Sequence, residues 1–360
     1  MTLNPALSAY LDFLRFFAAL AVMLGHMDQD GLYMSWMPLA GFSHEAVMIF
    51  FVLSGFIIYY STTTRASSLR KYAVARMSRI YSVALPAVVF SSVLAILVAQ
   101  QADFSAATLS NYSEPSVWSA FSSLLFLNAS WLNAADVPLN NPYWSLCYEV
   151  WFYVLFGAYH FVKGKVRYLL VAFAALVAGP AILVLLPIWL MGAYLAASRQ
   201  YDSRWKQSTA WAGFLGPIAV IVLINLTNLD SLIRSALFEN LPGFWRLDSS
   251  QRFLTDYLIG AALCLHIAAF SSLPARVQAL FTRHRGTWAA LAGFSFTLYL
   301  FHRPLTQLLG AYSPVAQGDV LHSILVAVGL LTACWVISWG TEKQLPMWRH
   351  QFSRLLTRQR

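Results

Sequence analysis

Charge is the scarcest commodity in this 360-residue sequence: Asp, Glu, Lys and Arg make up 11% of it, and hydrophobic residues make up 59%. Soluble domains carry about 25% charged residues, so an ordinary water-soluble enzyme is excluded. There are only three cysteines, Cys147, Cys264 and Cys334, far apart and without CxxC spacing. That excludes a disulfide scaffold and leaves them as small apolar residues inside hydrophobic stretches. Walker A, HExxH, GxGxxG and GxSxG patterns are all missing, and no metal site is expected. The first apolar run lacks a basic leader and carries Asp12 and Arg15, so it does not read as a removable signal peptide.

What is present is apolar sequence, with a mean hydropathy of +0.59. Runs fall at 7–27, 46–61, 80–100, 143–162, 168–183, 184–198, 209–229, 254–274, 288–308 and 321–341. A spanning helix needs about 20 residues, so the expectation is an all-α polytopic membrane protein of about ten transmembrane helices. The fifth and sixth runs are broken by Gly179-Pro180 and Pro187, which leaves open two short helices or one kinked helix. The piece from Phe121 to Leu132 is too short to span and reads as interfacial or re-entrant.

Placing both termini in the cytoplasm puts 19 of the 24 basic residues, including every lysine, on the inside. Among them are Arg65, Arg70, Lys71, Arg76 and Arg79 after the second run, and Lys343, Arg349, Arg354, Arg358 and Arg360 near the end. This satisfies the positive-inside rule. The net charge of +9 is thereby a topology signal and gives no reason to expect nucleic acid as a partner. The expected division is a transmembrane domain over 1–345 and a basic cytoplasmic tail over 346–360.

A few ionisable groups fall inside the runs, where each costs several kcal/mol or less by contested scales and marks a functional site by default. They are Asp12, Arg15 and His26 in the first run, Glu149 in the fourth, and His302 with Arg303 in the ninth, while Glu45 opens the second. Arg15 and His26 are eleven residues apart, so on a helix they share a face, roughly 16 Å apart along the axis. Asp12, one turn before Arg15, is placed to pair with it. His26, Glu149 and His302 all fall in the outer half of their runs and are candidates for one polar pocket, in which a carboxylate beside an imidazole suits a general base. Trp144, Tyr148 and Trp151 fit an aromatic belt. Ser54-Gly55 permits close helix packing. The basic stretch Arg65 to Arg79 reads as an anchor to anionic lipid and would equally suit the phosphates of a large anionic cofactor. His160, His266, His284, His322 and His350 are isolated.

Taken together, these segments resemble the membrane-bound acyltransferase 3 family, which modifies bacterial surface polysaccharides and related glycans. The resembling elements are Leu11 to His26, with Arg and His separated by ten intervening residues; Phe50 to Phe56 (FFVLSGF); Arg76 to Tyr81 (RMSRIY); Trp144-Ser145-Leu146 with Glu149; and Ser295 to Pro304 (SFTLYLFHRP). They occur in family order from 11 to 304. Two departures stand out: His44-Glu45-Ala46-Val47 replaces a Gly-x-x-Gly-Val segment, and Ser82 stands where proline is common. The resemblance implies transfer of an acetyl group from cytoplasmic acetyl-CoA across a bacterial inner membrane to a hydroxyl of a glycan or glycolipid acceptor. It implies His26 and Glu149 as catalytic, and Arg15, Arg76 and Arg79 as donor-binding. Asp12, Glu45, Ser54, Trp144, Tyr299 and His302 are implied as acceptor pocket or support. The competing readings are a transporter or flippase for a lipid-linked glycan, and the same fold using succinyl-CoA. Acceptor specificity is expected from the loops 28–45, 101–142 and 230–253, which carry Trp118, Trp131 and Trp245.

Overall fold

The computed structural model describes residues 3–64, 68–100, 113–131, 136–238, 241–312 and 319–356. Arg65, Arg358 and Arg360, most of the first half of the loop 101–142 and the side chain of Trp245 lie outside the described residues.

Every apolar run is helical. The elements are α1 (Pro5–Gln29), α2 (Ser43–Thr64), α3 (Leu69–Ala99), α4 (Val117–Leu124), α5 (Tyr143–Phe161), α6 (Gly164–Ala178), α7 (Pro180–Ser198), α8 (Gln207–Leu226), α9 (Leu229–Leu237), α10 (Phe253–Phe270), α11 (Ala275–Arg283), α12 (Arg285–Ala292), α13 (Ser295–Tyr312), α14 (Val320–Ile337) and α15 (Leu345–Leu355). Among the described residues, seven segments are long and apolar enough to cross a membrane, containing α1, α2, α3, α7, α8, α10 and α14. The others fall short for reasons visible in their sequences. α6 has only 15 residues, α5 carries Glu149, and α13 carries His302, Arg303 and Gln307. The helices that fail the apolar test thus include two that bear polar groups in a setting where such groups are expensive. The ambiguity at the fifth and sixth runs resolves as two helices. Gly179 sits between them at φ 87, a backbone conformation that glycine tolerates, and Pro180 starts α7 at a position where a proline lacks no bond.

The chain divides into two compact units. The first comprises Met1–Ala18, His44–Ser67 and Ala178–Ala292. Its tightest packing joins α2 and α7. A Cβ on Gly55 would stand 1.9 Å from the Trp189 carbonyl oxygen, and one on Gly192 would stand 2.0 Å from that of Val52. The backbones therefore touch at two reciprocal glycines, and the Ser54 hydroxyl accepts the Trp189 indole N–H at 3.1 Å. This is small-residue packing of the kind that holds helices together in lipid. Gly55→Ala and Gly192→Ala are each expected to force the helices apart, costing about 1–3 kcal/mol or more. A fall in the midpoint of thermal unfolding in detergent checks this, and an unchanged midpoint in both variants would refute the packing. At the other end of this unit, Tyr10 stacks on Phe270 with ring centroids 4.1 Å apart, and its hydroxyl bonds His266. His266 also donates from Nδ1 to the Phe214 carbonyl at 2.6 Å, which accounts for it as a satisfied core histidine.

The second unit comprises Ala19–Ser43, Ser68–Val177 and Gly293–Arg360. The short α4 is closed by a capping box between Ser116 and Ser119. The segment after it folds inward. Phe126 adopts a left-handed φ of 56°, and its carbonyl accepts both the Trp151 indole N–H at 2.8 Å and the Cys147 thiol at 2.9 Å. Asn140 is 1% exposed and donates to the Leu300 carbonyl at 2.8 Å and to Ser91 at 3.3 Å. Polar residues of this connection are thus buried against α3, α5 and α13, as suits a re-entrant piece whose backbone must be satisfied by protein.

Candidate active site

The second unit brings together two histidines 276 positions apart. His26, in the last turn of α1, places Nδ1 2.8 Å from Nε2 of His302 on α13. The rings stack with centroids 5.1 Å apart at 17°. His302 is fully buried, and its own Nδ1 lies 2.8 Å from the Leu298 carbonyl one turn back. A carbonyl only accepts, so His302 Nδ1 carries the hydrogen. In neutral imidazole the other nitrogen is then an acceptor, so His302 Nε2 receives a hydrogen from His26 Nδ1. That leaves the lone pair of His26 on Nε2. The chain of bonds fixes one tautomer of His26 and leaves a basic nitrogen at its end.

Around this pair the helices supply further polar groups. Next to His302, Arg303 is 1% exposed and its Nη1 meets Asp30 Oδ2 at 2.5 Å, where Asp30's side chain is 5% exposed. The same nitrogen is 3.5 Å from the His26 carbonyl. The close approach of α13 to the end of α1 requires glycine at 310, where a Cβ would stand 2.7 Å from the Asp30 carbonyl oxygen. The Tyr299 ring makes an edge contact with His302 at 6.2 Å. Its hydroxyl shares a 2.6 Å hydrogen bond with Ser145 and donates to the Pro142 carbonyl at 3.2 Å. Trp144 packs edge-on to Tyr148 at 4.9 Å.

Glu149 lies one turn beyond Ser145 on α5. Its carboxylate accepts the Tyr153 hydroxyl at 2.5 Å, and no hydrogen bond to either histidine is made. The neighbour that orients His26 is therefore His302, in the position the sequence suggested for a carboxylate.

The two arginines of RMSRIY lie on α3. Arg79 Nη2 is 3.7 Å from Glu342 Oε1, and the guanidinium lies over the Phe296 ring at 5.9 Å. Glu342 is in turn held by the Thr297 N–H at 3.2 Å. Phe296 and Thr297 open the same helix that carries His302, which follows five or six residues on, about 8 Å along the axis of α13. Arg76 is half-buried, and its Nε has no hydrogen-bond partner among the described residues.

In the first unit, Asp12 and Arg15 are half-buried on α1. That helix runs unbroken to Gln29, so the eleven-residue interval to His26 is helical throughout. Glu45 is 2% exposed and accepts from Arg252 at 3.0 Å and from Asn225 at 3.4 Å. Two groups that the sequence left unassigned lie beside it: His44 Nε2 is 2.8 Å from Asp256 Oδ1, and Asp256 is fully buried. Asp256 sits within α10, in the otherwise apolar eighth run, and that was the available signal for it. Among the described residues no group of three or more His, Cys, Asp or Glu side chains is arranged to hold a metal ion.

An all-helical multi-pass membrane protein with a buried imidazole pair is the class that this architecture defines. Its family is shown by comparison: the chain belongs to the acyltransferase 3 family, whose model, described as an acyltransferase domain, matches residues 8–339. A curated protein named acyltransferase MdmB, from Streptomyces mycarofaciens, is 29% identical over 161 residues, or 42% of this chain. The match covers 39% of that relative's length. No solved structure matches the chain.

Proposed function

We propose that the protein is an O-acyltransferase that moves an acetyl group from acetyl-CoA to a hydroxyl of a surface or exported glycan or glycolipid. The observation that carries this reading is the hydrogen-bond chain ending at His26 Nε2. In the reaction, Nε2 takes the proton of the acceptor hydroxyl as its oxygen attacks the thioester carbonyl. The carbon–sulfur bond breaks, and the proton passes to the departing thiolate, so that His26 returns to its starting state. Tyr299 and Ser145 present hydroxyls beside the pair, and Glu149 sits one turn from Ser145 as a second acidic neighbour of the pocket. Asp12, Glu45, Ser54 and Trp144 stand as supporting residues.

Arg76 and Arg79, with Arg15, are proposed to hold the donor's phosphates. Glu342 keeps the Arg79 guanidinium in place until the donor arrives. The proposed topology has ten spans, both termini in the cytoplasm and a bacterial inner membrane as its home, supported by the distribution of Lys and Arg.

Purified protein in lipid nanodiscs, given radiolabelled acetyl-CoA and a glycan extract, tests the activity directly. Labelled ester in the glycan fraction supports it, and donor binding without any transfer would contradict it. In the same assay Arg79→Ala is expected to raise the donor KM roughly tenfold or more, as loss of a charge-assisted phosphate contact implies, with little change in the acceptor KM. Equal effects on both substrates would remove Arg79 from the donor site.

A further inference from the structure

α15 lies along the first half of α3, and between them is a cavity of about 450 Å³. Three cations line it, Arg70 and Lys71 from the first turn of α3 and Arg349 from α15, together with the hydroxyls of Ser68 and Ser353. Among the described residues, no acidic side chain lines it, and no aromatic one. The two helices are tied across it by a bond from Arg70 Nη2 to the Ser353 carbonyl at 3.3 Å. They are also held by Phe352, whose ring packs 5.8 Å from that of Tyr81. These ties set the two helices, with their solvent-exposed cations, around one space.

α15 carries no buried residue and ends its sequence MWRHQFSRL on both exposed apolar and basic groups. Met347 is 46% exposed and Leu355 60%, and Leu69, beside the cavity on α3, is 47% exposed. An amphipathic helix of this composition lies in the membrane interface. Anionic lipid attracts such basic positions by about 1 kcal/mol per residue.

We propose that this cavity is a binding site for the headgroup phosphate of an acidic phospholipid, with α15 lying beside its acyl chains. Charge complementarity selects an anion, and the paired hydroxyls suit phosphate oxygens. The exposed apolar residues around the opening suit an amphiphile. A nucleotide would leave its base without an aromatic or other planar partner here. The site lies away from the imidazole pair and is independent of the acyl-transfer reading.

Native mass spectrometry of the full-length protein, released from micelles containing equal amounts of phosphatidylglycerol and phosphatidylcholine, tests it. The wild type is expected to retain phosphatidylglycerol in preference. Replacing Arg70, Lys71 and Arg349 together by Gln is expected to lower that retention roughly tenfold while retention of phosphatidylcholine stays constant, which also reports an intact fold. A control replacing Arg199, Arg204 and Arg276 by Gln removes the same charge elsewhere and is expected to have no effect. The proposal is overturned by unchanged retention in the first variant or an equal loss in both. Displacement of the bound phosphatidylglycerol by 3′-phosphoadenosine 5′-phosphate would overturn it too, since the cavity would then be a nucleotide site.

Discussion

His26→Ala is expected to lower kcat for acetyl transfer by roughly 10²–10⁴-fold, the usual worth of a positioned general base, with the donor KM close to that of the wild type. The side chain is half-buried, and the Ala variant removes no partner of the Arg303–Asp30 pair. It should therefore still enter membranes and unfold at a similar temperature. The sharper test lies one bond away. His302→Leu leaves His26 in place but removes the acceptor for its Nδ1 hydrogen, freeing the ring to turn and change tautomer. A loss of roughly tenfold or more is expected, by the logic of an orienting partner behind a catalytic imidazole. His302→Gln offers an amide oxygen in the same region and should recover part of the rate. The variant lacking both histidines should be no slower than His26→Ala alone, because residues acting as one unit are not additive. Steady-state transfer assays on membranes normalised for protein decide among these. Full activity in His26→Ala would end the assignment, and a His302→Leu enzyme at wild-type rate would remove the relay.

The part of this site that was legible in sequence is the part encoded by depth. An imidazole inside an apolar run is conspicuous, and both His26 and His302 were visible for that reason. Hydropathy also located the long helices, whereas short amphipathic ones such as α9, α11 and α15 left no apolar run, and the ninth run is divided between α12 and α13. What sequence spacing does not encode is which of several deep polar groups meet. Glu149, His26 and His302 were equivalent by depth, yet the α5 face bearing Ser145 and Glu149 meets Tyr299 and Tyr153, whereas the end of α1 meets His302. Contacts between helices hundreds of residues apart are set by packing, and a single sequence gives no period from which to read them. Asp30 was hidden in another way. It follows the last residue of α1, where a carboxylate looks like an ordinary loop group, and only the Gly310 approach brings Arg303 to it. Similarly, His44 has its partner, Asp256, 212 positions away. Of the ten expected spans, seven are long and uniformly apolar among the described residues; α6 is short, and α5 and α13 carry polar groups such as Glu149, His302 and Arg303.

Asp30→Ala is expected to be the most destabilising single change in the second unit outside its apolar core. With the carboxylate gone, the Arg303 guanidinium would remain 1% exposed with its principal counter-charge removed. Breaking one side of a buried pair costs about 3–5 kcal/mol. For a chain of this size that corresponds to a fall in Tm of roughly 4–7 °C, measurable by thermal unfolding in a mild detergent. Arg303→Met should cost less, because the carboxylate it leaves behind, that of Asp30, is the more exposed partner, at 5% against 1%. The double variant, Asp30→Ala with Arg303→Met, replaces the pair by apolar groups and should recover much of the loss. Activity gives the second readout. Arg303 Nη1 also approaches the His26 carbonyl, so the pair fixes the backbone from which the His26 ring hangs. A double variant that regains its Tm yet transfers acetyl groups slowly would assign the ion pair to positioning His26. A Tm unchanged in Asp30→Ala would mean that the guanidinium finds water or another acceptor, and the pair would lose its structural role.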